Sequence, residues 1–319
     1  MKAGFLLFVA LSAASLARAE KIVLRVGYFP NVTHAQGVIG SQTSREGHGW
    51  FEARLGPAVE IQWFAFNAGP SAMEAIFAGS LDLTYVGPNP ALNAYIRSRG
   101  DEIRVLAGAA EGGAALVVAG DGRIKTPADF RGRKLATPQF GNTQDVAARA
   151  WLKQQGFRVT QTGGDVWVLP TANPDQLALL ASGQIDAVWT VEPWVSRLEQ
   201  EAGGRVFLEQ PDVVTTLLVS SVRLLKTRPE LAQKFRAAHI ELTQWINTHE
   251  GEAREIVRAG LSAEVHREMA AGLVASAWRR LHFTAELTPA QLEGVVADAR
   301  SVGFLPDALP LDRLFSRKP

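Results

Sequence analysis

Cysteine is absent from the 319 residues, which excludes disulfides, thiolate nucleophiles, Cys-ligated zinc and iron–sulfur clusters. Neither charge sign is in surplus: 33 Lys and Arg face 32 Asp and Glu, a formal net charge of +1. With no Lys/Arg-rich run, the chain lacks the field that holds a phosphodiester backbone, so nucleic acid is not an expected partner. No apolar run beyond the N-terminal segment reaches the ~18 residues of a membrane-spanning helix. Also missing are the nucleophile elbow, the Walker loop and the dinucleotide glycine fingerprint. His239, His249, His266 and His282 are spread over expected helices at spacings that fit no zinc site, and His34 and His48 fall in different local elements. No metal and no cofactor are therefore expected, and the chain reads as a non-enzyme.

What is present begins with a leader. Met1-Lys2 is a short positive start, Gly4 to Leu16 is an apolar run of signal length, and Ala17-Arg18-Ala19 has the small-x-small form that signal peptidase reads. Cleavage of residues 1–19 leaves 31 basic against 32 acidic residues, a net charge of −1. A lipid anchor needs a cysteine at the new N-terminus and there is none, so a free, soluble periplasmic protein is expected.

The length suits about two domains, and at 47% hydrophobic the chain can fill two cores. From Lys21 onward, short β-branched or apolar runs alternate with amphipathic stretches, the signature of an α/β protein with mostly parallel sheets. Strands are expected at 22–26, 59–64, 81–85, 104–107, 115–118, 134–136, 166–169, 187–190 and 214–220. After about Leu225 only helices are expected, at 229–248, at 252–259 and beyond, and at 289–302, the last opened by a Thr288 cap with Pro289 in its first turn. On this reading His239 and Glu241 sit on a solvated helix face. Ala78–Pro88 (AGSLDLTYVGP) and Ser182–Pro193 (SGQIDAVWTVEP) echo each other in Gly, Asp, an aromatic-bearing strand and Pro, which suggests two similar lobes facing one cleft. Flexible breaks near Gly112-Gly113 and Gln210-Pro211 would divide the chain into residues 20–113 plus 209–319 as lobe 1 and 114–208 as lobe 2. Two crossings make a hinge.

Four loop-to-helix junctions share one grammar: Gly69-Pro70-Ser71, Gly87-Pro88-Asn89, Gly141-Asn142-Thr143 and Asn173-Pro174-Asp175. Gly, Asn or Thr caps and Pro in the first turn are ordinary helix starts. At the carboxyl ends of strands in an open α/β sheet, however, gathered helix N-termini offer N–H groups and partial positive charge to an anion. Tyr28 to His34 follows the first strand with two aromatics, Asn31, Thr33 and His34 at the mouth of lobe 1; Asn31-Val32-Thr33 also matches a glycosylation acceptor. In lobe 2, Trp189 to Trp194 places aromatics and Glu192 at a strand end. Glu192 either caps the next helix or meets a cationic part of a ligand, and both tryptophans fit either a core or a cleft wall.

LRVGYFPNVTHAQGVIG, FNAGPSAMEAIFAGSLDLTYVGPNP, IKTPADFRGRKLATPQFGNTQDVAARAWLKQQGF, LALLASGQIDAVWTVEPW and the tail ending GFLPD together resemble the periplasmic substrate-binding proteins of ABC importers, in the nitrate/sulfonate/taurine group. The resemblance implies a two-lobed, type II-like periplasmic binding protein fold, each lobe a mixed, mostly parallel sheet flanked by helices, with a helical C-terminal tail. It also implies a monomer that binds a small organic or inorganic oxyanion in the cleft and docks on an ABC permease. The ligand contacts it implies are Asn31, His34, Ser71, Gly87, Asn89, Asn142, Thr143, Glu192 and Trp194. Phe29-Pro30-Asn31 with His34 is similar, too, to a segment of thiamine-pyrimidine precursor proteins of the same fold, although the cysteine cluster of the synthases is missing. N-terminal sequencing of exported material should read from Glu20; a retained Met1 would overturn both the compartment and the permease partner.

Overall fold

The computed structural model describes residues 21–161, 163–306, 311 and 313–315, so the leader at 1–19 lies outside the described residues. The first lobe opens with β1 (Ile22–Tyr28), a 3-10 turn at Val32–His34, α1 (Ala35–Arg45), α2 (Trp50–Leu55), β2 (Val59–Ala65), α3 (Gly69–Phe77), β3 (Leu83–Val86), α4 (Pro88–Arg97) and β4 (Ile103–Gly112). The chain then enters the second lobe as β5 (Ala114–Val118), β6 (Lys134–Thr137), α5 (Thr143–Gln154), β7 (Trp167–Pro170), α6 (Asn173–Ala181), β8 (Ala187–Val191), α7 (Trp194–Glu201) and β9 (Arg205–Gln210). It returns as β10 (Val214–Ser221), α8 (Val222–Thr227), α9 (Pro229–Thr248), α10 (Glu250–Glu264), α11 (Ala271–Trp278), β11 (Leu281–Phe283) and α12 (Glu293–Ser301). Among the described residues no helix is long and apolar enough to cross a membrane.

The sheet orders are β11-β4-β10-β3-β1-β2 and β7-β6-β8-β5-β9. Both sheets are mixed, as expected, with β1 to β4 running one way in the first and β6 to β9 in the second. In the first, β1 pairs in parallel with β2 and β3, while β10 pairs antiparallel with β3 and β4, and β11 with β4. In the second, β6 is parallel to β7 and β8, and β5 is antiparallel to β8 and β9. The βαβ half of each lobe is read correctly from the sequence; the strand on which the chain arrives after each crossing, β5 or β10, runs antiparallel to it. The strands do not stop at Leu225 either, because β11 adds an edge to β4.

The sequence echo marks equivalent strands. β3 and β8 each lie between the parallel pair and a crossover strand, and each follows a helix closed by a left-handed glycine, Gly79 (φ 69°) and Gly183 (φ 70°). Asp82 accepts from the Arg25 backbone N–H and from the Arg25 and Arg223 guanidinium groups; Asp186 accepts from the Lys134 N–H and from Arg133. One device is thus used twice: a carboxylate accepts from a backbone N–H of the neighbouring parallel strand, at the middle of β1 and at the start of β6.

Alternating residues divide each sheet between two cores. Leu24, Val26 and Tyr85 face one apolar cluster in the first lobe, and Val86, Leu217 and Val219 the other. In the second lobe Leu116 and Trp189 face one cluster, Val117 and Val188 the other. Gly112 and Gly113 do not form a loose break. β4 runs to Gly112 and β5 starts at Ala114, and the chain turns between lobes on φ values of 73° and 70° that only glycine adopts readily.

His239 is fully buried, which corrects its assignment to a solvated face; Glu241 is exposed. The Gly108 carbonyl lies 2.8 Å from Nε2 and the Tyr85 hydroxyl 3.1 Å from Nδ1, so both ring nitrogens of a neutral imidazole are satisfied. Burial pushes the His239 pKa down to about 4. The unfolded chain therefore binds a proton between about pH 6.5 and 4 that the folded chain refuses, and stability falls as pH falls through that window. Chemical denaturation should show a loss approaching ~1.4 kcal/mol per pH unit from this residue below pH 6. His239→Gln should flatten that slope; an unchanged slope would remove the argument.

Candidate functional site

Where the two lobes meet, a cavity of about 20 Å³ is enclosed by the loop after β1, the start of α3, the starts of α5 and α6, and single residues of β8 and β10. From lobe 1 it is lined by Phe29, Asn31, Thr33, His34, Asn67, Ala68 and Thr215. Lobe 2 supplies Pro138, Asn142, Gln144, Asn173 and Val191. Ala68 is the N-cap of α3, Asn142 that of α5, and Asn173 is the first residue of α6, so three of the four expected helix starts border one space. The fourth lies beside it: at Gly87, the N-cap of α4, a Cβ would collide with the Thr143 hydroxyl, and the Asn89 N–H donates to that hydroxyl at 3.4 Å.

No charged side chain lines the cavity, and three of its five lining amides are polarised one way, whereas Asn67 spends its own N–H on the Pro138 carbonyl. The Asn31 Oδ1 accepts from the Trp194 indole at 2.9 Å. Asn173 Oδ1 accepts from the Thr190 hydroxyl at 3.3 Å. Gln144 Oε1 accepts from Asn142 Nδ2 at 3.1 Å, while Asn142 Oδ1 caps α5 through the Asp145 N–H at 2.8 Å. With their oxygens engaged, Asn31, Gln144 and Asn173 have N–H donors left to offer. His34 adds a fourth group. Its Nδ1 lies 3.0 Å from the Thr33 hydroxyl, its ring packs on Phe29 at 4.3 Å, and its Nε2 is buried without a partner. Burial holds its pKa down at about 3, so the ring is neutral, and a Thr33 hydroxyl donating to Nδ1 makes Nε2 an N–H donor.

Of the expected contacts, Asn31, His34 and Asn142 line this cavity. Ser71 is exposed and takes a hydrogen bond from Gln139 of the other lobe at 3.1 Å. Gly87, Asn89 and Thr143 form the adjoining contact between the lobes. Glu192 is fully buried but turned elsewhere: its carboxylate accepts from the Ser196 N–H and hydroxyl, capping α7, and from Arg280 at 2.9 Å. Trp194 braces Asn31. The sequence reading missed Asn67, Gln144, Asn173 and Thr215 as lining side chains, although the junction containing Asn173 had been singled out.

The family model of the NMT1-like family matches residues 17–261. The chain belongs to the NMT1-like family. It is 30% identical over 210 residues to a putative aliphatic sulfonates-binding protein of Escherichia coli K12, covering 64% of this chain and 60% of that one. It is 27% identical over 190 residues to the taurine-binding periplasmic protein of the same organism, 58% and 57% of the two chains. The match thus spans about 60% of the length of these curated relatives. The alkanesulfonate-binding protein of Xanthomonas axonopodis pv. citri, solved with MOPS, superposes with a TM-score of 0.74 at 20% identity, covering 94% of this chain and all of that one. The fold is that of the periplasmic binding proteins.

Arg280 comes from the first lobe and meets three carboxylates, those of Glu192, Glu199 and Glu209, each at 2.9 Å. Burial pushes the Glu192 carboxyl up while Arg280 and Ser196 pull it down. Removing Arg280 strands a buried carboxylate, so Arg280→Ala should cost about 3–5 kcal/mol in urea denaturation. Adding Glu192→Gln should restore part of that loss; a purely additive double variant would mean that the pair is not coupled.

Proposed function

We propose that this chain is the periplasmic solute-binding component of an ABC importer, a monomer that captures a small oxyanion of the alkanesulfonate, taurine or nitrate kind between its lobes and delivers it to a membrane permease. The observation that carries the reading is the polarity of the cavity: the amides of Asn31, Gln144 and Asn173, whose oxygens are already engaged, leave their N–H groups to the space beside the unpartnered His34 Nε2, and no charged side chain lines it. Such a lining replaces the water around an anion without a fixed counter-charge, and release then requires no ion pair to be broken. Family membership and the names of the relatives point the same way.

At about 20 Å³ the cavity has room for about one water molecule. A sulfonate enters only if the lobes part, and the hinge for that movement is the double crossing at Gly112-Gly113 and at residues 211–213 between β9 and β10, the second lying a little past the expected boundary at 209 because β9 still pairs with β5. Glu192 acts here as a positioning residue that orients α7, and a taurine-like amine is not met by it.

Ethanesulfonate, taurine and nitrate should each be tried by calorimetry against the purified exported protein. A bound oxyanion at a hundredfold excess over its Kd should raise stability by about 2.7 kcal/mol and leave the ligand chemically unchanged. Asn173→Asp puts a carboxylate where an N–H donor stood and should weaken oxyanion binding at least tenfold, whereas His34→Ala should weaken it by roughly tenfold. Phe29 against His34 also offers a flat apolar face, which suits an aminopyrimidine. If an aminopyrimidine of the thiamine-precursor kind binds best and Asn173→Asp leaves its binding intact, the precursor reading replaces the oxyanion one; turnover of any of these compounds would make the protein an enzyme of the same fold.

A further inference from the structure

The polar cavity has a larger neighbour. A chamber of about 640 Å³ lies between α7 of the second lobe and the turn joining α10 to α11 in the first. Pro174 borders it, one residue after Asn173 of the cavity wall, and so does Trp194, whose indole N–H is bonded to Asn31 of that same wall. The Trp194–Asn31 pair is thus the partition between the two spaces. The chamber's apolar wall is made by Trp194, Val265, Met269, Ala270 and Leu273. Most of its charges are already engaged: Arg197 pairs with Glu201 and lies 4.7 Å over the Trp194 ring, Glu264 bonds Arg45, and Glu268 pairs with Arg258. The residues from Glu264 to Leu273 lie beyond residue 261, where the family match ends, so family membership does not define this wall.

We propose that the two spaces form one site in two chambers, with the cavity holding an oxyanion head and the outer chamber holding a bulky apolar body, aryl or long alkyl, that passes Trp194. The inference rests on the oxyanion reading above and narrows it: the ligand class is amphipathic sulfonates, not taurine or nitrate. Trp194 serves both halves, bracing Asn31 with its N–H and giving the apolar body its ring face.

Calorimetry on the full exported chain with ethanesulfonate, hexanesulfonate and naphthalene-2-sulfonate tests it. Burial of each methylene is worth about fourfold in affinity, so the two larger sulfonates should bind at least about tenfold tighter than ethanesulfonate even if their apolar parts are half covered. Ala270 is exposed on the chamber wall, and Ala270→Trp should fill the chamber and cut that preference to about threefold or less. Arg267→Trp, exposed on the same wall, carries the same expectation if the first variant does not fold. Equal affinity for all three sulfonates, or a preference that survives both substitutions, overturns the two-chamber proposal alone. Binding of none of the three overturns the oxyanion reading together with it.

Discussion

The ion pair between Glu192 and Arg280 fixes the geometry on which the cavity depends. Glu192 sits just past the end of β8, fully buried, and a carboxylate there is sustained only because Arg280 reaches across from the first lobe to meet it. The same carboxylate caps α7 through Ser196, which sets the direction of that helix and with it the position of Trp194 in its first turn. Trp194 then holds Asn31, whose oxygen would otherwise face the cavity as an acceptor. The Glu192 carbonyl also accepts from the Val32 N–H at 3.1 Å, tying the same corner to the loop after β1. One buried charge thus reaches the cavity wall through three successive contacts without lining the cavity itself.

The cavity's neutrality is the second constraint. A cationic side chain would strengthen anion capture, but it would keep its own charge buried whenever the cleft emptied, a state that costs several kcal/mol in a dry setting. Amides whose acceptors are already occupied avoid this. Each stays hydrogen-bonded within the protein through its oxygen and leaves its N–H groups toward the cavity. His34 follows the same logic: burial holds its pKa down at about 3, so the ring brings no charge to the cavity at neutral pH.

The lobes were legible because their signals are local. The glycine after α3 and α6 and the aspartate immediately before the strand can be read from a dozen residues, and the structure shows what they do: Asp82 and Asp186 bind the backbone of the neighbouring strand. β9 and β11 were not legible. β9 is a half-exposed edge strand and β11 is three residues long; both exist because β5 and β4 offer unpaired edges, which no window of sequence displays. His239 is different, because the signal was there. It falls with Phe235, Ala238, Leu242 and Ile246 at helical spacing on one apolar stripe, and the polarity of its ring outweighed a period that placed it in the core. In the site, the helix starts were readable from Gly, Asn and Pro, but the choice among their polar side chains was not. Ser71 and Asn67 are four residues apart at one junction, and only the packing of Pro138 against it decides which faces the cavity.

The crossings between the lobes join these constraints into one design. Because Gly112 and Gly113 turn the chain within a single residue's gap between two strands, this crossing is short and bounded by strands on both sides, and the lobe rotation proposed above would centre on it. Arg280 lies beside that crossing, its carbonyl close to Gly112, where a small rotation would displace it least from its three carboxylates. The contacts that such a rotation breaks lie on the far side of the cleft and are weak: Asn67 to Pro138 at 3.4 Å, Ser71 with Gln139, and Asn89 to Thr143 at 3.4 Å. Strong ionic contacts at the axis and marginal hydrogen bonds at the opening edge are what a cleft needs if it is to open at low cost and return to the same register.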